Sequence, residues 1–231
     1  DDVGQLHLQL LKKYFVSQDA SQMSPLALAS HTCGPSRLEP LRALLRDGAD
    51  VNEGGPCGWP PLSLALLGGD ANLPAVKVLL AANAKLEACP KCRPQQTPLL
   101  LAAAARQEAC THALIEAGAK INARDHSGKP ALVLCAAWTP DDKAKRACVL
   151  LLDRSADVCL RDADGEYFAH SSALGAGNAE TAKMLLERAT AASSLARQLL
   201  LEGEEDQDPR KAKSTTPTSS RKGAKGGAKK K

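Results

Sequence analysis

Aromatic residues are scarce in this chain: only 3% of its 231 residues are Phe, Trp or Tyr, whereas 44% are hydrophobic. A buried core must therefore be built mainly from Ala, Leu and Val. Such small and aliphatic side chains suit closely packed helices better than the facing sheets of a β-sandwich. The composition thus favours an all-α fold.

Long apolar runs and the sequence motifs of common enzymes are also missing. No run of about 18 apolar residues occurs, so we expect no membrane-spanning helix. The sequence contains no GxGxxG, P-loop, HExxH or GxSxG motif, and its five histidines are scattered. Its pairs of adjacent acidic residues are not accompanied by a second group that acid–base catalysis would need. We therefore expect a protein that is not an enzyme and that needs no cofactor.

A pattern with a period of about 35 residues recurs along the chain. Apolar helical segments end at four landmarks, which are spaced 35, 35 and 37 residues apart: Gly48-Ala49, Asn83-Ala84, Gly118-Ala119 and Ser155-Ala156. Gly or Asn at the first position can adopt the left-handed conformation that ends a helix, and Ser adopts it less readily. The landmarks predict four helix ends.

A second landmark opens the units, just before a stretch rich in Ala and Leu. Ser24-Pro25, Pro60-Pro61 and Thr97-Pro98 occupy this place. Ser or Thr can cap a helix, and Pro fits the first turn because its missing N–H would have no helical partner there. Each unit is therefore predicted to begin with a short helix of small residues.

These landmarks resemble the ankyrin repeat, whose signature is T-P-L-H-x-A on a period near 33 residues. The resemblance implies a helix–turn–helix followed by a β-turn finger in each repeat. Gly58, Gly128 and Gly165 stand where the family forms the finger turn. The signature His is kept only at His170, so the resemblance implies less rigid fingers than in the family.

The predicted fold is an all-α ankyrin-repeat solenoid with a disordered C-terminal tail. Residues 1–21 are predicted to form an N-terminal capping helix or a degenerate repeat, and residues 22–188 about five repeats. Residues 189–202 are predicted to form a C-terminal capping helix. Residues 203–231 are predicted to be disordered, because they contain no large apolar residue.

The resemblance implies a module that binds another protein, a scaffold or adaptor with no small-molecule substrate, because stacked repeats form a long concave surface. We expect the contact residues on the fingers and inner helices: Trp59, Arg93, Arg124, Asp125, His126, Trp138, Arg161, Asp162 and Asp164. Tryptophans are frequent binding hot spots, but they also fill space in a core. For any single charged residue of a finger, the alternative is that it lies in a solvated turn and contacts no partner.

The tail, residues 203–231, carries nine basic and four acidic side chains. Its basic residues are candidates for binding a polyanion such as RNA, DNA or an acidic protein surface: Arg210, Lys211, Lys213, Arg221, Lys222, Lys225, Lys229, Lys230 and Lys231. A nuclear localisation signal and a purely solubilising role are alternatives. The alternative function is a component of a nucleic-acid-containing or cytoskeletal assembly, anchored by the tail.

Eight cysteines occur, and the spacing Cys89-Pro90-Lys91-Cys92 is that of a zinc-binding pair. A complete site needs two further ligands, and Cys57 and His126 are the candidates in neighbouring fingers. A disulfide and two free thiols are alternatives, and we expect no bound metal. Because the cysteines do not form the framework of a short secreted domain, we expect a reducing compartment, the cytoplasm or alternatively the nucleus.

Overall fold

The computed structural model describes residues 24–32, 38–54, 58–90, 95–139, 142–160 and 168–205, with side chains described as far as Leu195. Each repeat contributes a first, inner helix and a second, outer helix. The inner helices are α1 (Pro25–Thr32), α3 (Pro61–Leu66), α5 (Pro98–Ala104), α7 (Ala131–Ala136) and α9 (Phe168–Gly175). The outer helices are α2 (Glu39–Arg46), α4 (Leu73–Ala81), α6 (Glu108–Glu116), α8 (Asp142–Asp153) and α10 (Ala179–Glu205). The all-α prediction is confirmed.

The core is built by stacking. Consecutive inner helices contact one another, and in the first four repeats each inner helix also packs on its own outer helix. The buried side chains are mostly leucines and alanines, among them Leu64, Leu79, Leu101, Leu114 and Leu151. No described helix combines the length and the apolar character needed to cross a membrane.

The C-terminal part differs from the prediction in one respect. The chain divides into two compact units, Asp1–Thr190 and Ala191–Lys231. Residues 189–202 do not form a separate capping helix, because they belong to α10, which begins as the outer helix of the fifth repeat. No Gly or Pro interrupts the sequence between Ala179 and Glu202, and such residues are the usual breaks in a helix. The predicted N-terminal cap (1–21) and residues 206–231 of the tail lie outside the described residues.

The predicted helix ends are confirmed. All four landmark residues have left-handed backbone angles: φ is 86° at Gly48, 61° at Asn83, 91° at Gly118 and 64° at Ser155. The residue after each of them donates its backbone N–H to a carbonyl five residues earlier, at 2.9 to 3.1 Å: Ala49 to Leu44, Ala84 to Leu79, Ala119 to Leu114 and Ala156 to Leu151. This pattern is the Schellman motif, which ends a helix and directs the chain into the next connection.

The helix starts are confirmed where a hydroxyl is present. Thr97 Oγ1 accepts the backbone N–H of Leu100 at 3.4 Å, and Ser24 Oγ accepts that of Ala27 at 3.2 Å. Pro60 and Pro130 hold the same place without a side-chain acceptor. The first three inner helices thus begin at the predicted landmarks, and the fourth begins after Pro130.

Gly118→Ala is expected to lower the free energy of unfolding by about 1 kcal/mol, because a φ of 91° is strained for any L side chain. A Cβ added at Gly118 would meet no atom within 4 Å, so the loss is conformational. Gly175→Ala is the matched control, since its added Cβ also meets nothing and its φ lies outside the left-handed region. Urea denaturation measures both variants. An equal loss at the two positions would contradict this assignment.

Candidate functional site

Four fingers connect each outer helix to the next inner helix: finger 1 (47–60), finger 2 (82–97), finger 3 (117–130) and finger 4 (154–167). The structure describes the whole of finger 3, whereas residues 55–57, 91–94 and 161–167 of the others lie outside the described residues. Because the helices they connect are stacked, the fingers follow one another along one edge of the repeats.

A ladder of hydrogen bonds joins successive fingers. In each rung, a side-chain oxygen of one finger accepts a backbone N–H of the next. The rungs run from Asn52 to Lys85 at 2.8 Å, from Glu87 to Lys120 at 2.8 Å and from Asn122 to Asp157 at 2.9 Å. The acceptors recur every 35 residues, so the same backbone position is fixed in each finger. Cys159 stands at the corresponding place in finger 4.

Finger 3 is a hydrogen-bonded turn. The Asp125 carboxylate accepts the backbone N–H groups of Ser127 at 2.8 Å and Lys129 at 2.9 Å. The Asp125 carbonyl accepts the N–H of Gly128 at 2.9 Å, and an antiparallel bridge pairs the two sides of the turn. Arg124 and His126 are exposed, as expected for contact residues, whereas Asp125 is half-buried and its carboxylate holds the turn.

Both tryptophans are buried, and this corrects their assignment to the recognition surface. Trp59 is 1% exposed and Trp138 is 3% exposed. The indole Nε1 of Trp138 donates to the carbonyl of Ala103, in the preceding repeat, at 2.8 Å. The alternative interpretation is therefore the better one: these large rings fill space that the small side chains around them leave.

The other predicted contact residues cannot be placed. Arg93, Arg161, Asp162 and Asp164 lie outside the described residues, as do the basic residues of the tail from Arg210 to Lys231. The same holds for Cys92 and Cys57 of the zinc hypothesis. Among the described residues, no group of three or more His, Cys, Asp and Glu side chains is arranged to hold a metal ion.

Cys89, the described half of the CxxC pair, holds its proton more firmly than a free thiol does. Burial, and secondarily the neighbouring Glu87 carboxylate, raise the pKa of the Cys89 thiol above its usual value of 9.0. A raised pKa lowers the fraction of thiolate, which is the form that binds zinc. The Cys89 Sγ instead lies 3.5 Å from the carbonyl oxygen of Glu87.

Buried donors join the inner helices behind the fingers. In three successive interfaces, a side-chain N–H reaches the same carbonyl position of the preceding repeat. These bonds run from Asn72 to Ser30 at 3.3 Å, from Gln107 to Leu66 at 2.6 Å and from Trp138 to Ala103 at 2.8 Å. They hold the repeats that carry the fingers in register. Asn72 was not among the residues predicted from the sequence, although its polar amide stands directly before an apolar helix.

Some exposed cations of the repeats pair with carboxylates and others do not. On the outer helices, Arg46 pairs with Glu39 at 3.3 Å, Lys145 with Glu180 at 3.4 Å and Arg146 with Glu108 at 2.6 Å. Within the part of the chain that the structure describes, the exposed finger cations Lys85, Lys120 and Arg124 have no carboxylate partner, and the same holds for the exposed outer-helix lysines Lys77 and Lys183. Arg154 of finger 4 donates to the carbonyl of Ile115 at 3.0 Å. Exposed cations without a partner retain their capacity for an external carboxylate.

Lys85 and Lys120 were not among the contact residues predicted from the sequence. A lysine in a turn is common, and nothing in its own neighbourhood distinguishes it. The signal was their separation of 35 residues, which equals the repeat period and places the two side chains at the same position of consecutive fingers. The ladder shows this equivalence directly, since both lysines donate the backbone N–H of a rung.

The thiols are expected to differ sharply in reactivity. Burial raises the pKa of Cys148 and Cys110 to about 12, and Asp70 adds to the shift at Cys110. Burial also raises the pKa of Cys135 well above 9.0, whereas Cys159 is exposed. Iodoacetamide at about pH 8 should therefore modify Cys159 in the folded protein and leave the three buried thiols intact. Peptide mass mapping checks this, and equally fast labelling of Cys110 would contradict it.

The same shifts give stability a dependence on alkaline pH. The folded protein holds the Cys110 and Cys148 thiols protonated to about pH 12, whereas the unfolded chain ionises them near 9.0. Their contribution to stability is therefore complete below pH 9.0 and is lost as the pH rises toward 12.

The comparison with known families agrees with the geometry. Residues 36–125 match a family model described as ankyrin repeats in three copies. The matched range contains α2 to α6 and the first two rungs of the ladder. The helix pairs continue with the same architecture on both sides of it. Over residues 36–125 the chain therefore consists of ankyrin repeats.

Proposed function

We propose that this chain is a scaffold or adaptor that binds a partner protein through its finger surface, meaning the exposed residues of fingers 1 to 4 and the adjoining ends of the inner helices. Ankyrin repeats are general protein–protein interaction modules, and the family is typically non-catalytic. The partner and the adaptor role are the parts that this proposal adds.

The observation that carries the proposal is the ladder, which holds exposed cations at equivalent positions of successive fingers on a backbone fixed by hydrogen bonds. The ladder and the turn of finger 3 fix the backbone of Lys85, Lys120 and Arg124 by hydrogen bonds. A rigid surface binds with little loss of backbone entropy. Side chains that point into solvent from such a surface are suited to recognition rather than to stabilising the fold.

A site-resolved crosslinking experiment tests the proposal. A photo-crosslinking amino acid would replace Arg124 on finger 3 in one form of the full chain and Lys77 on the outer helix α4 in another. Both positions are exposed, which makes Lys77 a matched control. We expect a specific partner to crosslink through position 124 and not through position 77. Crosslinks through position 77 alone would place recognition on the outer helices and refute the proposal.

A further inference from the structure

One row of charged residues runs across all four fingers. The residue that donates the rung N–H is Lys85 in finger 2, Lys120 in finger 3 and Asp157 in finger 4. Asp50 holds the same position in finger 1, 35 residues before Lys85. All four are exposed. The row, Asp50-Lys85-Lys120-Asp157, therefore presents acid, base, base and acid at equivalent positions.

The nearby acids leave the centre of the row positive. Glu87 accepts the backbone N–H of Lys120 at 2.8 Å. Asp125 accepts two backbone N–H groups of its own turn. Backbone hydrogen bonds hold the carboxylates of Asp50 and Asp157 in the same way, and each carboxylate keeps its charge. The centre of the row remains positive because Lys85, Lys120 and the exposed Arg124 outnumber the two acids.

We propose that the row binds an extended segment of the partner protein in which two acidic residues contact Lys85 and Lys120. This inference rests on the proposed function and specifies the partner's chemistry. The partner's carboxylates form the ion pairs that Lys85 and Lys120 lack among the described residues. The partner's basic residues, one on either side of its acidic pair, contact Asp50 and Asp157 at the ends of the row. Like charges at any of the four positions repel, so the pattern also sets specificity.

The spacing of the charges in the partner follows from the packing of the repeats. Stacked helices lie about 10 Å apart, which sets the distance between neighbouring fingers. An extended chain advances roughly 3.3 Å per residue, so three residues cover one finger-to-finger step. The matching segment is therefore basic-x-x-acidic-x-x-acidic-x-x-basic.

A nucleic acid fits this row less well than such a peptide. Its negative charges continue at every nucleotide, so a strand that spans the lysines also meets the carboxylates of Asp50 and Asp157. Only Lys85 and Lys120 at the centre of the row attract a polyanion, and the carboxylates at both ends repel it. The structure thus favours a protein segment of mixed charge.

The test uses labelled ten-residue peptides and the full chain. One peptide carries Lys-x-x-Glu-x-x-Glu-x-x-Lys with Ser at the other places, and its charge-inverted partner carries Glu-x-x-Lys-x-x-Lys-x-x-Glu. A short oligothymidylate serves as the polyanion probe. The finger variant is Lys85→Glu with Lys120→Glu. The control variant is Lys77→Glu with Lys183→Glu, two exposed lysines of outer helices, and it makes the same change in net charge.

The matched peptide is expected to bind the unaltered chain about tenfold more tightly than the inverted one, with the difference shrinking as salt rises. The finger variant is expected to lose or invert this preference, and the control variant to keep it. Because the basic tail is common to all forms, its attraction for acidic peptides cancels. Circular dichroism of both variants checks that the repeats remain folded.

Three results would overturn the inference. The two peptides bind equally, the control variant loses as much affinity as the finger variant, or the oligothymidylate is the probe whose binding depends on Lys85 and Lys120. In each case, crosslinking through position 124 still decides the proposed function separately. Crosslinks that persist there would leave the finger surface as the binding site and remove only the assignment of an acidic segment.

Discussion

Trp138→Ala is expected to lower the free energy of unfolding by about 3–5 kcal/mol, the range for removing a large aromatic ring from a core. The ring is 3% exposed, and its Nε1 donates to the carbonyl of Ala103 at 2.8 Å. The substitution therefore removes packing, removes one of the donors to the Ala103 carbonyl, which keeps the backbone N–H of Arg106 at 3.2 Å, and weakens the contact between two repeats. Urea denaturation followed by far-ultraviolet circular dichroism measures the loss.

Trp138→Phe separates the contribution of packing from that of the hydrogen bond. Phe keeps most of the apolar volume but cannot donate, so the expected loss is about 0.5–1.5 kcal/mol, the net contribution of a typical hydrogen bond. A loss below about 1 kcal/mol for Trp138→Ala would instead be typical of an exposed residue. Such a result would restore the interpretation of Trp138 as a contact residue for the partner.

Gln107→Glu is expected to lower the free energy of unfolding by about 3–5 kcal/mol at neutral pH, as for an uncompensated buried charge. Gln107 is 3% exposed, and its Nε2 donates to the carbonyl of Leu66 at 2.6 Å. A carboxylate has no proton to donate and would face the carbonyl oxygen. The new group has its pKa raised by burial, so the loss should shrink as the pH falls and the carboxyl becomes protonated.

Gln95→Glu is the matched control for this change. Gln95 is exposed, so the same substitution should alter stability by less than about 0.5 kcal/mol at any pH where the chain is folded. Thermal or urea unfolding of the two variants at acidic and neutral pH gives the comparison. A loss at Gln107 that does not shrink on acidification would show that the introduced carboxyl does not occupy the buried site facing the Leu66 carbonyl.

The ends of the helices were predictable because local chemistry sets them. Left-handed residues such as Gly118 and hydroxyl caps such as Thr97 act on the few residues around them. A single sequence contains that information. The continuity of α10 was missed because repeat counting suggested a boundary near residue 189, although no residue there stops a helix.

The candidate site was less predictable because it depends on register between repeats. The position of Trp138 in the chain identified its segment but not the direction of its ring. Equivalent places in other repeats hold the small residues Gly68, Ala105 and Gly175, so a large side chain there looked like a surface feature. The row was missed for the related reason that its residues are 35 or more positions apart and meet only through the ladder.

The most direct measurement of the central claim is crosslinking through position 124 in a full chain whose nine tail cations are replaced by Gln. The experiment would be run at low and at high salt. If the finger surface recognises the partner, the same partner should crosslink through position 124 in both forms, with at most a moderate decrease at high salt. Loss of the crosslink with the tail charges would contradict the account and assign recognition to the tail.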